Sequence, residues 1–389
     1  MDNRRSFKFV DLFSGIGGFH QAMQMLGGEC VFASEIDDEC NKVYKENYGI
    51  SSDVNIRDVK EEDIPEHDVL CAGFPCQAFS KAGKQLGLKD QMRGTLFFEI
   101  VRILEHHKTQ YIILENVRNL VTHDNGNTWE IIQRSLKELG YRTTKKPLIL
   151  SPHQFGIPHL RERVIILGKF DPANVEQPLK VEFEKLKMKD DCSIYDILDK
   201  GKVDKSYYIS EYEKKVLDMW DEFYKGISEK IIGFPIWSSE FKQTYDLEGI
   251  PKWKADFCKK NRKLYENNKE FIDAWLDKHN YLSELAPTHK KMEWQAGEKI
   301  ASLWEGLIQF RPSGIRVKVP TCSPALVAMV QIPIVGKYKR RLTVEEVSRL
   351  QSFPNDFIIS SNRQQAYKEF GNSVNVEVIK RCAEKLFEY

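Results

Sequence analysis

Short apolar segments alternate with amphipathic helical segments of roughly a dozen residues through the first 170 residues of the chain. The alternation begins with the apolar run Phe7–Phe13, which the glycine-rich turn Ser14–Gly18 joins to a helix. Apolar runs of strand length recur at Asp68–Ala72, Tyr111–Leu114 and Val164–Leu167. Because strands separated by helices usually pair in parallel, this order predicts an α/β fold with a doubly wound, mostly parallel sheet.

The composition changes at Asp171, after which lysine, glutamate, tryptophan and tyrosine become more frequent up to about Phe310. A chain of 389 residues exceeds the size that one hydrophobic core usually organises. We therefore predict a larger domain formed by residues 1–170 and 340–389, and a second, smaller domain formed by residues 171–339.

The cysteines argue against two classes of protein. There are eight in the whole chain, without paired spacing, which favours reduced thiols over a disulfide scaffold. Neither CxxC nor HExxH occurs, so no metal site is expected.

No apolar run is long enough for a signal peptide or a membrane span, and we expect a cytoplasmic protein that does not bind membranes.

The formal net charge of +1 conceals one basic stretch, Pro251–Lys263, in which five lysines and one arginine face only Asp256. Trp253 and Phe257 are interleaved with these cations. The pattern is typical of a surface that follows phosphates, and equally of a solvated helix face.

The glycine turn is followed by two acids placed to bind a nucleoside. Glu35 ends the apolar run Cys30–Ser34, where a carboxylate would accept hydrogen bonds from ribose hydroxyls. Asp58 precedes the next strand, where it could meet an adenine amino group. The turn reads GxGG rather than GxGxxG, so a nucleotide-dependent oxidoreductase is one alternative that the turn alone leaves open.

A second group of polar residues is predicted at the same edge of the sheet. Cys76 follows Pro75, which ends strand pairing because it has no N–H to donate. Glu115 follows another strand, and Arg161 and Arg163 would share one face of a third because side chains alternate. The basic, glycine-containing segment from residue 77 to residue 94 is predicted to be a mobile loop that closes on a polyanion.

Six motifs, in this order, resemble the cytosine-5 DNA methyltransferases, in particular the bacterial modification enzymes of restriction systems. They are Asp11–Gly18, Gly73–Gln77, Glu115–Val117, Arg161–Arg163, Arg341–Pro354 and Gly371–Val374. The resemblance implies the Rossmann-like fold of S-adenosylmethionine-dependent methyltransferases, with residues 1–170 and 340–389 as the catalytic domain. The resemblance covers roughly residues 7–170 and 311–389, and it implies that residues 171–339, most of which match nothing, form a target-recognition domain.

The resemblance implies a role for each matching residue. Cys76 would be the nucleophile, Glu115 the acid, and Arg161 and Arg163 the groups that hold the cytosine and the loop. The positions that would bind S-adenosylmethionine, and its product S-adenosylhomocysteine, are Phe13, Gly15, Gly17, Gly18, Glu35, Ile36, Asp58, Val59, Pro75, Leu96, Asn372, Ser373 and Val374. The chain departs from the family at His159, where glutamine is usual, and at Ala325, where threonine is commoner.

The implied activity is methyl transfer to C5 of a flipped-out cytosine in a specific sequence of double-stranded DNA. The protein would be a monomer that protects DNA from a cognate restriction endonuclease, a functional rather than a physical partner. A methyltransferase acting on tRNA cytosine and a catalytically silent DNA-binding protein are the alternatives.

Overall fold

The computed structural model describes residues 6–75, 95–184, 186–230, 232–326 and 331–389. Cys76 and the predicted loop at residues 77–94 lie outside these ranges. The chain divides into two compact units. The larger contains residues 1–192, 324–328 and 347–389, and the smaller contains residues 193–323 and 329–346.

Residues 171–192, which the sequence analysis placed in the smaller domain, belong to the larger unit. They are held there by backbone hydrogen bonds: the Leu179 N–H donates to the carbonyl of Thr143 (3.0 Å), and the Lys187 N–H to that of Gln154 (2.9 Å). The change in composition at Asp171 therefore precedes the change of unit, which comes at Ser193.

A sheet of seven strands, counted over the described residues, forms the centre of the larger unit. The strands of this unit are Phe7–Leu12 (β1), Gly28–Ser34 (β2), Val69–Gly73 (β3), Tyr111–Val117 (β4), Tyr141–Thr143 (β5), Leu148–Leu150 (β6), the short His159–Leu160 (β7) and Arg163–Phe170 (β8). The order is β2-β1-β3-β4-β8-β5, with β6 also paired to β8. Pairing is parallel from β2 to β4, whereas β8 runs antiparallel to β4, β5 and β6.

Helices pack against this sheet through their apolar faces. They are Gly18–Gln24 (α1), Asp38–Tyr48 (α2), Leu96–His107 (α3) and Asn127–Glu138 (α4). The C-terminal helix Val376–Leu386 buries Val376, Ile379, Ala383 and Leu386, and Asn375 caps it by accepting a hydrogen bond from the Val378 N–H (3.0 Å). The doubly wound α/β prediction is confirmed, with an antiparallel end to the sheet that the strand pattern alone does not specify.

The smaller unit contains a six-stranded sheet, again counted over the described residues. Its strands are Ile236–Trp237 (β9), Lys291–Trp294 (β10), Leu307–Arg311 (β11), Gly314–Lys318 (β12), Ile334–Val335 (β14) and Arg340–Arg341 (β15); the short strand Ser323–Pro324 (β13) lies outside this sheet. Their order in the sheet is β15-β14-β11-β12-β10-β9. Its helices are Glu211–Gly226 (α5), Lys252–Asn267 (α6) and Lys269–Lys278 (α7). An aromatic core that includes Trp220, Phe223 and Trp275 joins helices and sheet.

Two helices begin with capping boxes. Ser210 and Glu213 exchange side-chain and backbone hydrogen bonds at the start of α5. Thr343 and Glu346 do the same at the start of Val344–Leu350 (α8), where the Thr343 N–H donates to Glu346 (2.8 Å). Two further helices, Arg363–Asn372 (α9) and Val376–Leu386 (α10), complete the larger unit.

Within the described ranges, no helix combines the length and apolarity that crossing a bilayer requires. The same residues contain no cluster of three or more histidine, cysteine, aspartate or glutamate side chains arranged to hold a metal ion.

Candidate active site

A cavity of about 490 Å³ lies in the larger unit at the carboxyl edge of the parallel strands. The predicted site residues that line it are Phe13, Gly15, Gly18, Glu35, Ile36, Pro75, Leu96, Glu115, Asn372, Ser373 and Val374. The strand register explains this convergence, because Gly73 at the end of β3 is the partner of Glu115 in β4. Three predicted cofactor residues, Gly17, Asp58 and Val59, are not among the lining residues.

The glycine turn needs its glycines for two different reasons. Gly15 has a φ of +54°, and a Cβ built on it meets no atom within 4 Å, so a side chain there would enter the cavity. A Cβ on Gly18 would instead lie 2.6 Å from Oγ of Ser373 and 2.7 Å from Cγ2 of Val374. The first glycine therefore keeps space open, and the second allows α1 to approach the segment that carries Asn372.

Glu35 is held by backbone donors. One carboxylate oxygen accepts from the Gly15 N–H (2.8 Å), and the other accepts from the N–H groups of Ile36 (2.7 Å) and Asp37 (2.9 Å). These bonds tie the glycine turn after β1 to the start of the segment after β2. A carboxylate offers about four acceptor positions, so the three bonds leave capacity for a ligand hydroxyl.

The segment before β3 contributes to the cavity through residues other than those predicted. Val54, Asn55, Ile56 and Arg57 line it, whereas Asp58 does not. Asn55 starts a short 3-10 helix by accepting a hydrogen bond from the Arg57 N–H (3.2 Å), and this turn directs the residues that follow it. Asparagine favours turns of this kind because its side chain bonds the backbone two residues further on, so Asn55 itself was the available signal.

Glu115 lines the same cavity and is opposed by Arg163, whose Nε lies 2.9 Å from Oε1. Burial raises the pKa of the Glu115 carboxyl, while the charges of Arg163 and Arg161 oppose that rise. The next residue, Asn116, donates its side-chain N–H to the carbonyl of Phe74 (2.8 Å). This bond fixes β4 beside the segment that leads to Pro75 and, in sequence, to Cys76.

Arg161 is buried and anchored by two carbonyls. Its terminal nitrogens donate to Leu326 (3.1 Å) and Ser373 (2.9 Å), and its Nε has no partner among the described residues. Burial lowers the pKa of Arg161 to about 9. Arg161 lies between β7 and β8 rather than within one strand, yet it reaches Glu115 together with Arg163, since all three line a small adjoining space.

His159, which replaces the usual glutamine, is fully buried. Its Nδ1 lies 3.2 Å from the carbonyl of Leu350, and its Nε2 accepts from the Leu326 N–H (3.4 Å). Burial lowers the pKa of His159 to about 3, so the ring is neutral, with one donor and one acceptor. A neutral imidazole and a glutamine amide both offer this pair, which gives the substitution a physical reason.

Several lining residues were not predicted, and Glu369 is the most unusual of them. It is 3% exposed, and burial raises its pKa to about 7, with Asp37 and Glu39 adding to the rise. Glu369 lies four residues before Ser373 on α9, so helical periodicity from the Asn372 motif was the signal that could have identified it.

Known proteins are similar to this chain in sequence and in fold. The family described as C-5 cytosine-specific DNA methylase matches residues 7–388. The Type II methyltransferase M.AluI of Cellulosimicrobium cellulans is 32% identical over 474 aligned residues, which cover 96% of this chain and 90% of that protein. The Type II methyltransferase M1.ScrFI of Lactococcus lactis subsp. cremoris is 33% identical, covering 100% of this chain and 80% of that protein. The crystal structure of the S. pombe Dnmt2 methyltransferase shares the fold, with a TM-score of 0.57 and 18% identity over 98% of each chain.

Proposed function

Since the chain belongs to the family of C-5 cytosine-specific DNA methylases, we propose that it methylates C5 of a flipped-out cytosine in a specific duplex sequence, with Cys76 as the nucleophile. The convergence of Glu115, Arg161 and Arg163 beside a cavity that Glu35 and Asn372 also line is the observation that carries this proposal. The chain is thus a DNA (cytosine-5-)-methyltransferase whose site residues have the roles set out below.

The cavity suits S-adenosylmethionine, which supplies an electrophilic methyl group when bound. Its volume of about 490 Å³ is within the usual range of about 300–1,000 Å³ for small-molecule sites. The missing Cβ of Gly15 leaves space open, and the buried hydroxyls of Ser14 and Ser34 have no partner among the described residues. Glu35, Ile36, Leu96 and Asn372 would hold this group, with Phe13, Pro75 and Val374 as apolar walls.

Cys76 would activate the cytosine. C5 of cytosine is a poor nucleophile, and addition of a thiolate at C6 moves electron density onto it. A free thiol with a pKa of about 8.5 is only a few per cent thiolate at neutral pH, and neighbouring cations enlarge this fraction. Cys76 follows Pro75, a residue of the cavity wall, directly in sequence.

Glu115 would stabilise the charge that this addition creates. Attack at C6 places negative charge on N3 and O2 of the base, and a neutral carboxyl donates its proton toward N3. Burial favours the neutral form of Glu115, as its raised pKa indicates. A guanidinium of the Arg161 and Arg163 pair would hold O2, and this interaction is stronger in the transition state than in the ground state.

Elimination of the Cys76 thiolate completes the cycle. Once C5 carries the methyl group, a base such as water removes the C5 proton, the bond between Cys76 Sγ and C6 breaks, and the N3 proton returns to Glu115. The target base must leave the helix to reach these groups, which costs a few kcal/mol.

The smaller unit, residues 193–323 and 329–346, would be the target-recognition domain that the resemblance implies. It would select the DNA sequence that is methylated. Acting as a monomer, the enzyme would protect the DNA of its host from a cognate restriction endonuclease.

Bisulfite sequencing of plasmid DNA from cells that express the chain tests this function. We expect 5-methylcytosine at one position of one short sequence, and none in cells that express Cys76→Ala. Unmodified DNA from cells that contain soluble wild-type protein would contradict the proposal. Methylation found only in tRNA would identify tRNA, and not duplex DNA, as the substrate.

A further inference from the structure

Helix α6 of the smaller unit carries a row of lysines on one face. Lys252, Lys259 and Lys263 are spaced by seven and four residues, which places them on the same side of a helix, and all three are exposed. We call these three residues the lysine stripe. Eleven residues separate its ends, so it spans about 16 Å.

The opposite face of α6 is fixed to the unit. Ala255, Cys258 and Asn261 are buried on that face. The Asn261 side chain accepts from the Trp237 N–H (2.7 Å) and donates to the carbonyls of Pro235 (3.0 Å) and Phe257 (2.9 Å). These bonds hold the lysine stripe toward solvent on a rigid helix.

The lysine stripe differs from the lysines of the two neighbouring helices. Every lysine of α5 and α7 has a carboxylate within 4 Å; the pairs are Lys214–Glu211, Lys215–Glu284, Lys225–Asp221, Lys269–Asp273 and Lys278–Glu222. For the lysine stripe, no such pair exists among the residues that the structure describes. Asp256 and Glu266 are the acids of α6 itself, and neither forms an ion pair in that same part of the chain.

This arrangement is unfavourable for the isolated helix. Lys252 occupies the first turn, which contains no acid, and a cation there opposes the helix dipole. Lys259 and Lys263 are like charges at i and i+4, which repel each other. A polyanion bound along this face would remove both costs.

We propose that the lysine stripe binds the phosphate backbone of the duplex DNA substrate. The inference rests on the proposed function, which makes duplex DNA the substrate, and it names a surface on which that substrate lies. A length of about 16 Å matches about five base pairs of one strand at 3.4 Å each. Trp253, 61% exposed at the edge of the row, adds an apolar ring beside the cations.

The test is the salt dependence of DNA binding. We would measure the Kd of a fluorescein-labelled 40-base-pair duplex between 50 and 300 mM KCl for the wild type and for the triple variant Lys252→Gln, Lys259→Gln, Lys263→Gln. Each phosphate contact contributes about 0.9 to the slope of log K against log salt, so we expect the slope to fall by about 2.7. Glutamine is a good helix former, so α6 should remain folded.

Two further variants separate a specific contact from a general loss of charge. Lys214→Gln, Lys269→Gln and Lys278→Gln remove the same three charges from paired lysines of the same unit, and the slope should fall by less than about 1. Lys→Arg at all three positions of the stripe should restore the wild-type slope. An equal fall in both glutamine variants, or an unchanged slope in the stripe variant, would overturn the proposal.

Competition identifies the polyanion and keeps the two proposals distinct. Unlabelled duplex should displace the probe more effectively than tRNA at equal phosphate concentration, and the reverse order would overturn the assignment to DNA. If the wild type methylates plasmid DNA while the stripe variant keeps the wild-type slope, only the lysine stripe fails. If the wild type methylates no DNA, the proposed function fails whatever the slopes show.

Discussion

Glu35 and Glu115 both lie at the carboxyl edge of one sheet and line one cavity, yet their carboxyl groups have different surroundings. Glu35 accepts three hydrogen bonds from backbone N–H groups, with Gly15, Ile36 and Asp37 as the donors. Glu115 is opposed by the side chain of Arg163, and burial raises its pKa. The first arrangement is suited to a fixed acceptor, and the second to an acid that gains and loses a proton.

The comparison shows that position at a strand end does not by itself assign a role. Both residues are glutamates at the same edge of the sheet. Their roles differ because Glu35 accepts hydrogen bonds from backbone N–H groups, whereas Glu115 faces the side chain of Arg163. The predictions below test whether the two roles can be separated by experiment.

Glu115→Gln should have the largest effect, because an amide cannot transfer a proton to N3. We expect turnover to fall about 10³-fold, within the usual range for loss of a general acid, with the Kd of S-adenosylmethionine nearly unchanged. Single-turnover methyl transfer measures the first quantity and calorimetry the second. Glu162→Gln is the control, since Glu162 lies between Arg161 and Arg163 in sequence but forms an exposed pair with Arg118. A large loss of affinity for S-adenosylmethionine in Glu115→Gln would contradict the assignment of cofactor binding to Glu35 and of acid catalysis to Glu115.

Glu35→Ala should show the opposite pattern. Removing the acceptor leaves three exposed or part-buried backbone donors without their partner and removes one contact to the cofactor. An unsatisfied group costs about 1–3 kcal/mol when buried and less when water can reach it. We expect the Kd of S-adenosylmethionine to rise about 30-fold, with a smaller effect on turnover at saturating cofactor. Glu39→Ala, an exposed acid two residues beyond Asp37, should leave the Kd unchanged. A turnover loss as large as that of Glu115→Gln would contradict the assigned roles.

Glu369 extends the comparison to a third carboxyl of the cavity wall. Its pKa is about 7 in the folded chain and about 4.5 when unfolded, so the folded state binds more protons between these values and stability falls as pH rises through this window. Glu369→Gln should therefore raise the free energy of unfolding at pH 8 by about 3 kcal/mol relative to its effect at pH 4. Urea unfolding at both pH values measures this. The partly exposed Glu384→Gln should show no pH-dependent gain. An equal gain in this control would show that burial of Glu369 is not the cause.

Arg163→Met should have the smallest and most specific effect. Glu115 acts while protonated, so turnover is present below its pKa and declines as pH rises through it. The charge of Arg163 lowers this pKa, so its removal should move the falling limb of the pH–rate profile to higher pH, in addition to lowering the rate. Arg118→Met, which breaks only an exposed pair, should leave the limb in place. A shift to lower pH would contradict the acid role of Glu115.

The sequence predicts well those parts of the site that depend on local patterns. Strand ends bring Glu35 and Glu115 to one edge of the sheet. The glycine turn between β1 and α1 can be recognised directly from the amino-acid sequence. The family motifs add Asn372 and the arginines, which lie far apart along the chain.

Two features of the site were not predicted. Asn55, Ile56 and Arg57 line the cavity in place of Asp58, in a turn that begins with the local hydrogen bond from the Arg57 N–H to Asn55. The hydrogen-bond partners of His159 are the Leu326 N–H and the Leu350 carbonyl, which lie more than 160 residues away in sequence. No local sequence pattern therefore indicates that the ring is neutral. The roles of the site residues and of the smaller unit remain predictions.

The most direct test of the central claim is covalent trapping. A kilobase duplex in which 5-fluorocytosine replaces cytosine is incubated with the enzyme and S-adenosylmethionine, then separated on a denaturing gel. Because fluorine cannot leave C5 as a proton does, we predict a stable complex joined through Cys76 with the wild type and none with Cys76→Ala. The absence of a complex with wild-type enzyme that methylates ordinary DNA, or an equal amount with Cys76→Ala, would contradict the account.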